Sequence, residues 1–213
     1  MLDKSIEYKN VIMRIESDKL ESIDDARLPA GFSFRYFQPS DVKHWGDIEA
    51  SVLEFDSAHE ACRYFESSYL PYLHDLQKRC VFIINPDGVP IATANAWHAD
   101  SKLGYQAVLH WVAVRPEYQG QGLGRAVTQK ALNIFRKLEP GKPVWLHTQT
   151  WSHTAIRLYH SLGFNIVKHE LLANTNTRNG VPKIYKNEFT EAIQVLRAVM
   201  DEEYVSRLID TAL

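Results

Sequence analysis

A mixed α/β fold built on a central sheet is what the sequence predicts, and three observations predict it. An apolar, strand-like run at 109–114 passes through Arg115, Pro116 and a loop containing Gly120, Gly122 and Gly124 into a segment whose apolar residues are Leu123, Val127, Ala131, Ile134, Phe135 and Leu138. That spacing repeats every three to four residues, as a helix buried on one face requires. Runs 80–84, 89–97 and 105–114 are separated only by short turn-like segments, which favours an antiparallel meander. The helix of 123–138 bridges that meander to a further strand at 144–149, and a helix joining two strands favours a parallel pair.

The elements follow in order. Residues 8–15 could be a strand, 17–30 are polar and punctuated by Pro29, and 1–30 is expected to be an extension packed on the main body. Residues 32–37 alternate aromatic and polar side chains between Gly31 and Pro39, the mark of a first strand. Ser40 and Asp41 open a helix to about 53, and a second helix covers 58–78 with Pro71 bending or interrupting it. Asn85, Pro86, Asp87 and Gly88 supply a turn between two strands. After the break at Pro140, Gly141 and Pro143 comes the 144–149 strand, then a helix capped by Ser152 and ended at Gly163. Residues 164–172 are expected to be a strand, 174–180 a loop and 181–186 a last strand. In the tail of 188–212, Phe189, Ile193, Leu196, Val199, Val205, Leu208 and Ile209 predict a C-terminal helix for packing or a homodimer.

Composition narrows the classes. A chain of 213 residues with 45% hydrophobic residues suits one sizeable domain with a full core. A net charge of −2 and a pI near 6.5 give no general attraction to nucleic acid or to an anionic membrane. Two cysteines, Cys62 and Cys80, without a CxxC pair fit free thiols in a reducing compartment. The first residues lack the apolar stretch of a signal peptide, and no run is long enough to span a membrane. A cytoplasmic protein is expected. The histidines, including His147, His153, His160 and His169, match no zinc spacing, so no metal is expected.

The glycine loop sits at the mouth of a helix, where the first backbone N–H groups have no internal partner and the peptide dipoles add positive potential. A phosphate binds there without a lysine, and glycine lets the amides come close. Arg125 in the first turn opposes the helix dipole and makes better sense facing an anion. A nucleotide-triphosphate loop would place Lys and Ser or Thr after Gly124, where Arg125 and Ala126 stand. A dinucleotide fold would end its next strand in an acid, and 144–149 has none.

The run Gln119-Gly120-Gln121-Gly122-Leu123-Gly124 resembles the Q/R-x-x-G-x-G/A signature of the GNAT acetyltransferase superfamily, with Val112-Ala113-Val114 as its preceding strand. Residues 150–164 resemble that family's second motif, with Ala155, Tyr159, Gly163 and Phe164 in register and Ser152 where an asparagine is usual. The resemblance covers about 31–186 and implies a mixed sheet of six to seven strands flanked by helices, followed by the tail at 187–213.

It also implies a chemistry. Acetyl-CoA would be the co-substrate and a small-molecule or peptide primary amine the acceptor, acetylated by direct attack. Val112, Ala113 and Val114 would hold the pantetheine arm on a bulged, splayed strand, with an N–H near Val112 polarising the thioester. Gln119, Gly120, Gln121, Gly122, Leu123, Gly124 and Arg125 would hold the diphosphate, and Ser152 an arm amide at shorter reach than asparagine. Tyr159 would give a proton to the departing thiolate. His110, two residues before Val112, would be the base, with Glu54 and Asp56 in reserve. The helices of 41–78 would wall the acceptor site, where Phe55, Trp97 and Trp111 suit a flat or apolar acceptor. Another acyl group, a peptide N-terminus, or a CoA-binding module without catalysis are the alternatives.

Overall fold

The architecture is that of a computed structural model, which describes residues 2–177 and 181–213. In chain order the elements are β1 (Asn10–Ile15), α1 (Ser17–Glu21), β2 (Ser33–Tyr36), α2 (Val42–Ser51), α3 (Ala58–Ser68), α4 (Leu73–Arg79), β3 (Cys80–Ile84), β4 (Pro90–Ser101) and β5 (Gly104–Val114). There follow α5 (Leu123–Leu138), β6 (Val144–Gln149), α6 (His153–Ser161), β7 (Asn165–Ile166), β8 (Leu172–Asn174), β9 (Lys183–Tyr185), α7 (Phe189–Val199) and α8 (Glu202–Asp210).

Seven strands make one sheet in the order β2-β3-β4-β5-β6-β1-β7. Among the described residues only β5 and β6 run parallel; the other pairs of this sheet are antiparallel. This is the mixed α/β sheet expected. Both faces of its middle are covered, so strands there are apolar on both sides: Val81 and Ile83 of β3 join the cluster under α5, while Cys80, Phe82 and Ile84 join Trp45, Ile48 and Phe65 under α2 and α3.

The N-terminal segment, expected to pack on the main body with a possible strand at 8–15, divides in two. Residues 10–15 form β1, paired with β6 on one edge and β7 on the other, so the chain's first strand is a structural member of the sheet. Residues 22–30 do lie on the outside: the Ala26 N–H donates to Asn133 Oδ1 and the Arg136 guanidinium to the Ile23 carbonyl, both on α5.

Pro71 interrupts the 58–78 helix as expected, leaving α3, a 3₁₀ turn at Leu70–Tyr72, and α4. The expected strand of 164–172 is reduced to two residues, Asn165 and Ile166, which stand in ladder register with β1; past them the Val167 N–H still bonds to Ile12, but the Lys168 N–H turns to Leu213 at the end of the tail. Leu172 instead starts β8, which pairs with β9 as a separate hairpin over the sheet; residues 178–180 of the expected loop lie outside the described residues. The tail is two helices rather than one, broken between Met200 and Asp201. Its apolar residues go into the chain's own core: Ile193, Leu196, Val205 and Leu208 are buried there, and Phe189, Val199 and Ile209 pack against them. Of the two uses expected of this apolar face, packing or a homodimer, the one seen is packing on the chain's own core. Among the described residues, no helix is long and apolar enough to cross a membrane.

Candidate active site

The site begins as a defect in the sheet. Thr93 of β4 faces Ala113 of β5, and Asn95 faces His110, so Trp111 and Val112 together oppose the single residue Ala94. This is a β-bulge. Its strain is visible at Trp111, whose φ is 51°, in the left-handed region. A large aromatic residue there costs on the order of 1–3 kcal/mol, and surrounding contacts must hold it. The indole N–H donates to the Tyr69 hydroxyl at 2.8 Å, and the ring packs on Trp45, Phe55 and Tyr64.

Just before the bulge the parallel pair separates. β5 and β6 are in register from Ala107 with Val144 to Leu109 with Leu146, and no further. The splay opens two cavities. One, of about 300 Å³, is lined by Val112, Ala113, Val114, Gln119, Gly120, Gly122, Leu123, Gly124 and, from α6, Ser152, Ala155, Leu158 and Tyr159. The other, of about 290 Å³, lies between β5, β6, the end of α2 and the β8–β9 hairpin; Glu49, His110, Trp111, His147, Asn174 and Tyr185 are among its walls. Both share Leu2, Glu54, Val112, Ser152, Ala155 and Tyr159.

The first cavity brings together most of the residues singled out for a cofactor. Gly120 and Gly122 have φ of 79° and 78°, and Gly122 is the residue immediately before α5, so the loop depends on glycine for its backbone course. Gln121 and Arg125 are not among its walls. Both are exposed, and the Arg125 guanidinium donates to Ser161 Oγ at 2.7 Å. The Gln119 side chain donates to the Val114 carbonyl at 2.9 Å, occupying the backbone acceptor expected to hold a ligand arm. Ser152 precedes α6 without making the expected capping bond; its hydroxyl bonds to no described residue.

Tyr159 is 7% exposed, and its hydroxyl makes no hydrogen bond to a described residue. Burial, then the charges of Glu54 and Glu49, push its pKa up, so it stays a protonated donor at the junction of the cavities.

His110 lines the second cavity with Nδ1 2.8 Å from the Tyr69 hydroxyl. Trp111 can only donate, so the Tyr69 oxygen accepts from it and turns its own hydrogen to Nδ1. In that assignment the ring hydrogen sits on Nε2. Burial, with His98 adding to it, pushes the His110 pKa down to about 3. The ring is neutral but a weak proton acceptor, with a donor rather than a lone pair on its second nitrogen. His147, also pushed down to about 3 by burial, has Nε2 2.8 Å from Asn10 Oδ1 and is stacked on Tyr185 at 3.6 Å between centroids.

Of the reserve acids, Glu54 is at the junction and Asp56 lines neither cavity. Glu54 is open to the cleft yet hemmed in by protein; this burial raises its pKa, against the pull of Gln149 and Lys4. Trp97 is buried under Tyr69 and is no part of the cavity wall. Glu49 was missed. Its signal was its place at helical spacing in the apolar stripe of Trp45, Ile48 and Val52. The wall supplied by residues 2–8 had no local signal at all.

A bulged strand splayed from a parallel neighbour, a glycine loop opening a helix and a second helix closing the cavity define an acyltransferase-type fold. The sequence pattern of the Acetyltransferase (GNAT) family matches residues 46–164, more than half of the chain, and the chain belongs to that family. It is similar to the [Ribosomal protein bS18]-alanine N-acetyltransferase of Escherichia coli (strain K12), 42% identical over 60 residues, which cover 28% of this chain and 40% of the relative. It is also similar to the mycothiol acetyltransferase of Nocardiopsis dassonvillei, 35% identical over 111 residues, covering 42% of this chain and 31% of the relative. The chain thus spans less than half the length of these curated relatives. A GCN5-related N-acetyltransferase from Sphaerobacter thermophilus shares the fold with a TM-score of 0.56 at 19% identity, over 76% of this chain and 49% of that one.

Proposed function

We propose that the protein transfers an acetyl group from acetyl-CoA directly to a primary amine. The observation that carries this reading is the shared wall of the two cavities, where Val112, Glu54 and Tyr159 meet. A thioester entering from the glycine-loop side and an amine entering from the other would meet there.

The amides of the glycine loop and the first turn of α5 take the diphosphate, where the helix dipole favours negative charge. The free edge of β5 around the bulge pairs with the pantetheine amides, and the N–H at Val112 stabilises the carbonyl oxygen as it gains charge. Tyr159 protonates the leaving thiolate. His110 holds the bulge through Tyr69 and offers a hydrogen to the acceptor side, so the ammonium proton leaves to a cleft carboxylate or water. Neither cysteine lines a cavity, in keeping with attack without a cysteine-bound intermediate. The free thiols support a cytoplasmic setting.

Calorimetry with CoA and acetyl-CoA, joined to a thiol-release assay over a panel of amines, tests this. Binding in the micromolar range and turnover of at least one amine are expected. No heat at millimolar CoA would end the reading, and tight CoA binding with no amine acetylated would favour a CoA-responsive module without catalysis.

A further inference from the structure

The acceptor cavity is walled by a carboxyl group of which one oxygen has no hydrogen-bond partner among the described residues. Glu49 lies in the last turns of α2, is 1% exposed and lines that cavity. Its buried Oε1 has no hydrogen-bond partner, and no lysine, arginine or histidine among the described residues forms an ion pair with it. A buried polar group left open in this way is unusual and calls for a reason. Buried charges in folded proteins are paired or bind something.

The local backbone is arranged to keep it there. Leu53 has φ of 69°, and the Glu54 N–H bonds back to the Glu49 carbonyl while the Leu53 N–H bonds to Ala50. This is the helix stop in which a left-handed residue, normally glycine, reverses the chain. Here a leucine accepts that conformation, and the reversal brings Glu54 next to Glu49 at the cavity. Burial first and the charge of Glu54 second raise its pKa well above the usual carboxylate range, which favours the protonated acid until a cation arrives. Tyr159, at the junction, senses both carboxylates, so the pair lies beside the place where acetyl transfer is proposed.

We infer that Glu49, supported by Glu54, is the seat of the acceptor's ammonium group, and that the acceptor carries no carboxylate on the carbon bearing its nitrogen. An arriving ammonium supplies the missing counter-charge and the missing hydrogen for Oε1. The docked ammonium holds Glu49 ionised beside Glu54, and an α-carboxylate brought to the same place would be repelled by both acids; Lys4 and Lys183 also line the cavity, but neither forms an ion pair with Glu49 or Glu54 among the described residues. The acceptor class is therefore an alkyl amine or the N-terminus of a chain, whose neighbouring carbonyl is neutral, and not a free α-amino acid. The cleft's aromatic walls, Tyr8, Trp111, Trp151 and Tyr185, suit a flat or apolar body behind the nitrogen. This inference rests on the acetyl-transfer reading for its meaning, but not for its test.

The test is binding of three matched probes, benzylamine, phenylglycinamide and phenylglycine, to the full chain with and without CoA, followed by calorimetry and melting temperature. Benzylamine and phenylglycinamide should bind at least tenfold more tightly than phenylglycine. Glu49→Gln should lose at least tenfold of that binding while CoA binding stays intact and the unliganded protein melts at the same temperature or higher, because the amide keeps the shape of the buried carboxyl and cannot ionise there. Glu49→Met, of similar length, repeats the arm should the glutamine variant fold poorly. The inference is overturned if phenylglycine binds as well as its amide, if no probe binds the wild type, or if both variants keep the probes; a lower melting temperature with binding unchanged would make Glu49 a structural residue. Absence of CoA binding in the same experiment would count against the acetyl-CoA reading alone, since the amine arms are read without it.

Discussion

The two cavities are made in opposite ways. The one on the glycine-loop side draws mainly on two short stretches, 112–124 and 152–159, joined by Leu2, Val52 and Glu54, and three of its wall residues are glycines that offer only backbone. The acceptor side gathers side chains from residues 2–8, α2, β5, β6, α6 and the β8–β9 hairpin. A wall of amides tolerates side-chain exchange but not a change of backbone angle. A wall of side chains behaves the other way round, and its chemistry is set by neighbours far apart in the chain.

Substitutions can break or sharpen that contrast. The largest effect is expected at Tyr159, which belongs to both sides: Tyr159→Phe should lower transfer by about 10²- to 10⁴-fold, the range for loss of a proton donor. Its CoA affinity should hold in calorimetry, and a parallel loss of CoA binding would move Tyr159 from chemistry to packing. On the acceptor side, Tyr69→Phe removes the acceptor of the Trp111 N–H and the donor to His110. Two polar groups lose partners, so urea unfolding should register a loss of about 1–3 kcal/mol, with acceptor kinetics impaired and CoA binding kept.

The cofactor side should answer only to backbone. Gly122→Ala forces a side chain to a φ of 78°, at roughly 1–2 kcal/mol, and should weaken CoA by about tenfold (1.4 kcal/mol per factor of ten) while sparing amine binding. Gly124 differs, since a Cβ there would meet Leu158 and Val114 at an ordinary 3.6 and 3.8 Å. Gly124→Ala should therefore fold normally, and any fall in CoA affinity would measure how closely the ligand approaches. Arg125→Gln should change CoA affinity by no more than the 0.3–1 kcal/mol typical of a charge near an exposed helix end, because its guanidinium is held by Ser161 outside the cavity. A larger loss would mean that it turns to the diphosphate when ligand binds.

A last change is silent at neutral pH. His147 is held neutral down to about pH 3, burial first and Lys183 second, whereas in the unfolded chain it takes a proton near 6.5. Between those values the unfolded state binds more protons, so stability falls as pH drops from about 6.5 towards 3. His110 acts in the same direction. Glu49, with its pKa raised, acts oppositely: its contribution is fully present below the ordinary carboxylate value and is lost as pH rises above it. His147→Gln should flatten the acid limb of melting temperature against pH, and an unchanged limb would refute the assignment.

How much of this was legible in the chain follows the same division. Gly120, Gly122 and the apolar spacing of α5 describe their own surroundings, because a left-handed turn and a helix face are properties of a few consecutive residues. The meander and the parallel pair could be read from turn lengths. The roles of His110 and Ser152 could not be read in that way. A histidine's basicity depends on burial that no local pattern reports and on His98, and its tautomer on Tyr69, 41 positions away. Likewise Arg125 stands at the right turn of the helix, yet its direction is chosen by Ser161 on another element.

The amino-acid order alone thus determined the strand, the glycine turn, the helix and the family they belong to, since each is decided by torsional preference and periodicity over short distances. Only the tertiary structure decided that residues 10–15 lie between β6 and β7, that the tail's apolar face is covered, and that Glu49 lines the acceptor cavity without a partner. Pairing, burial and electrostatic environment are sums over residues distant in sequence, and they acquire values only once the chain has closed on itself.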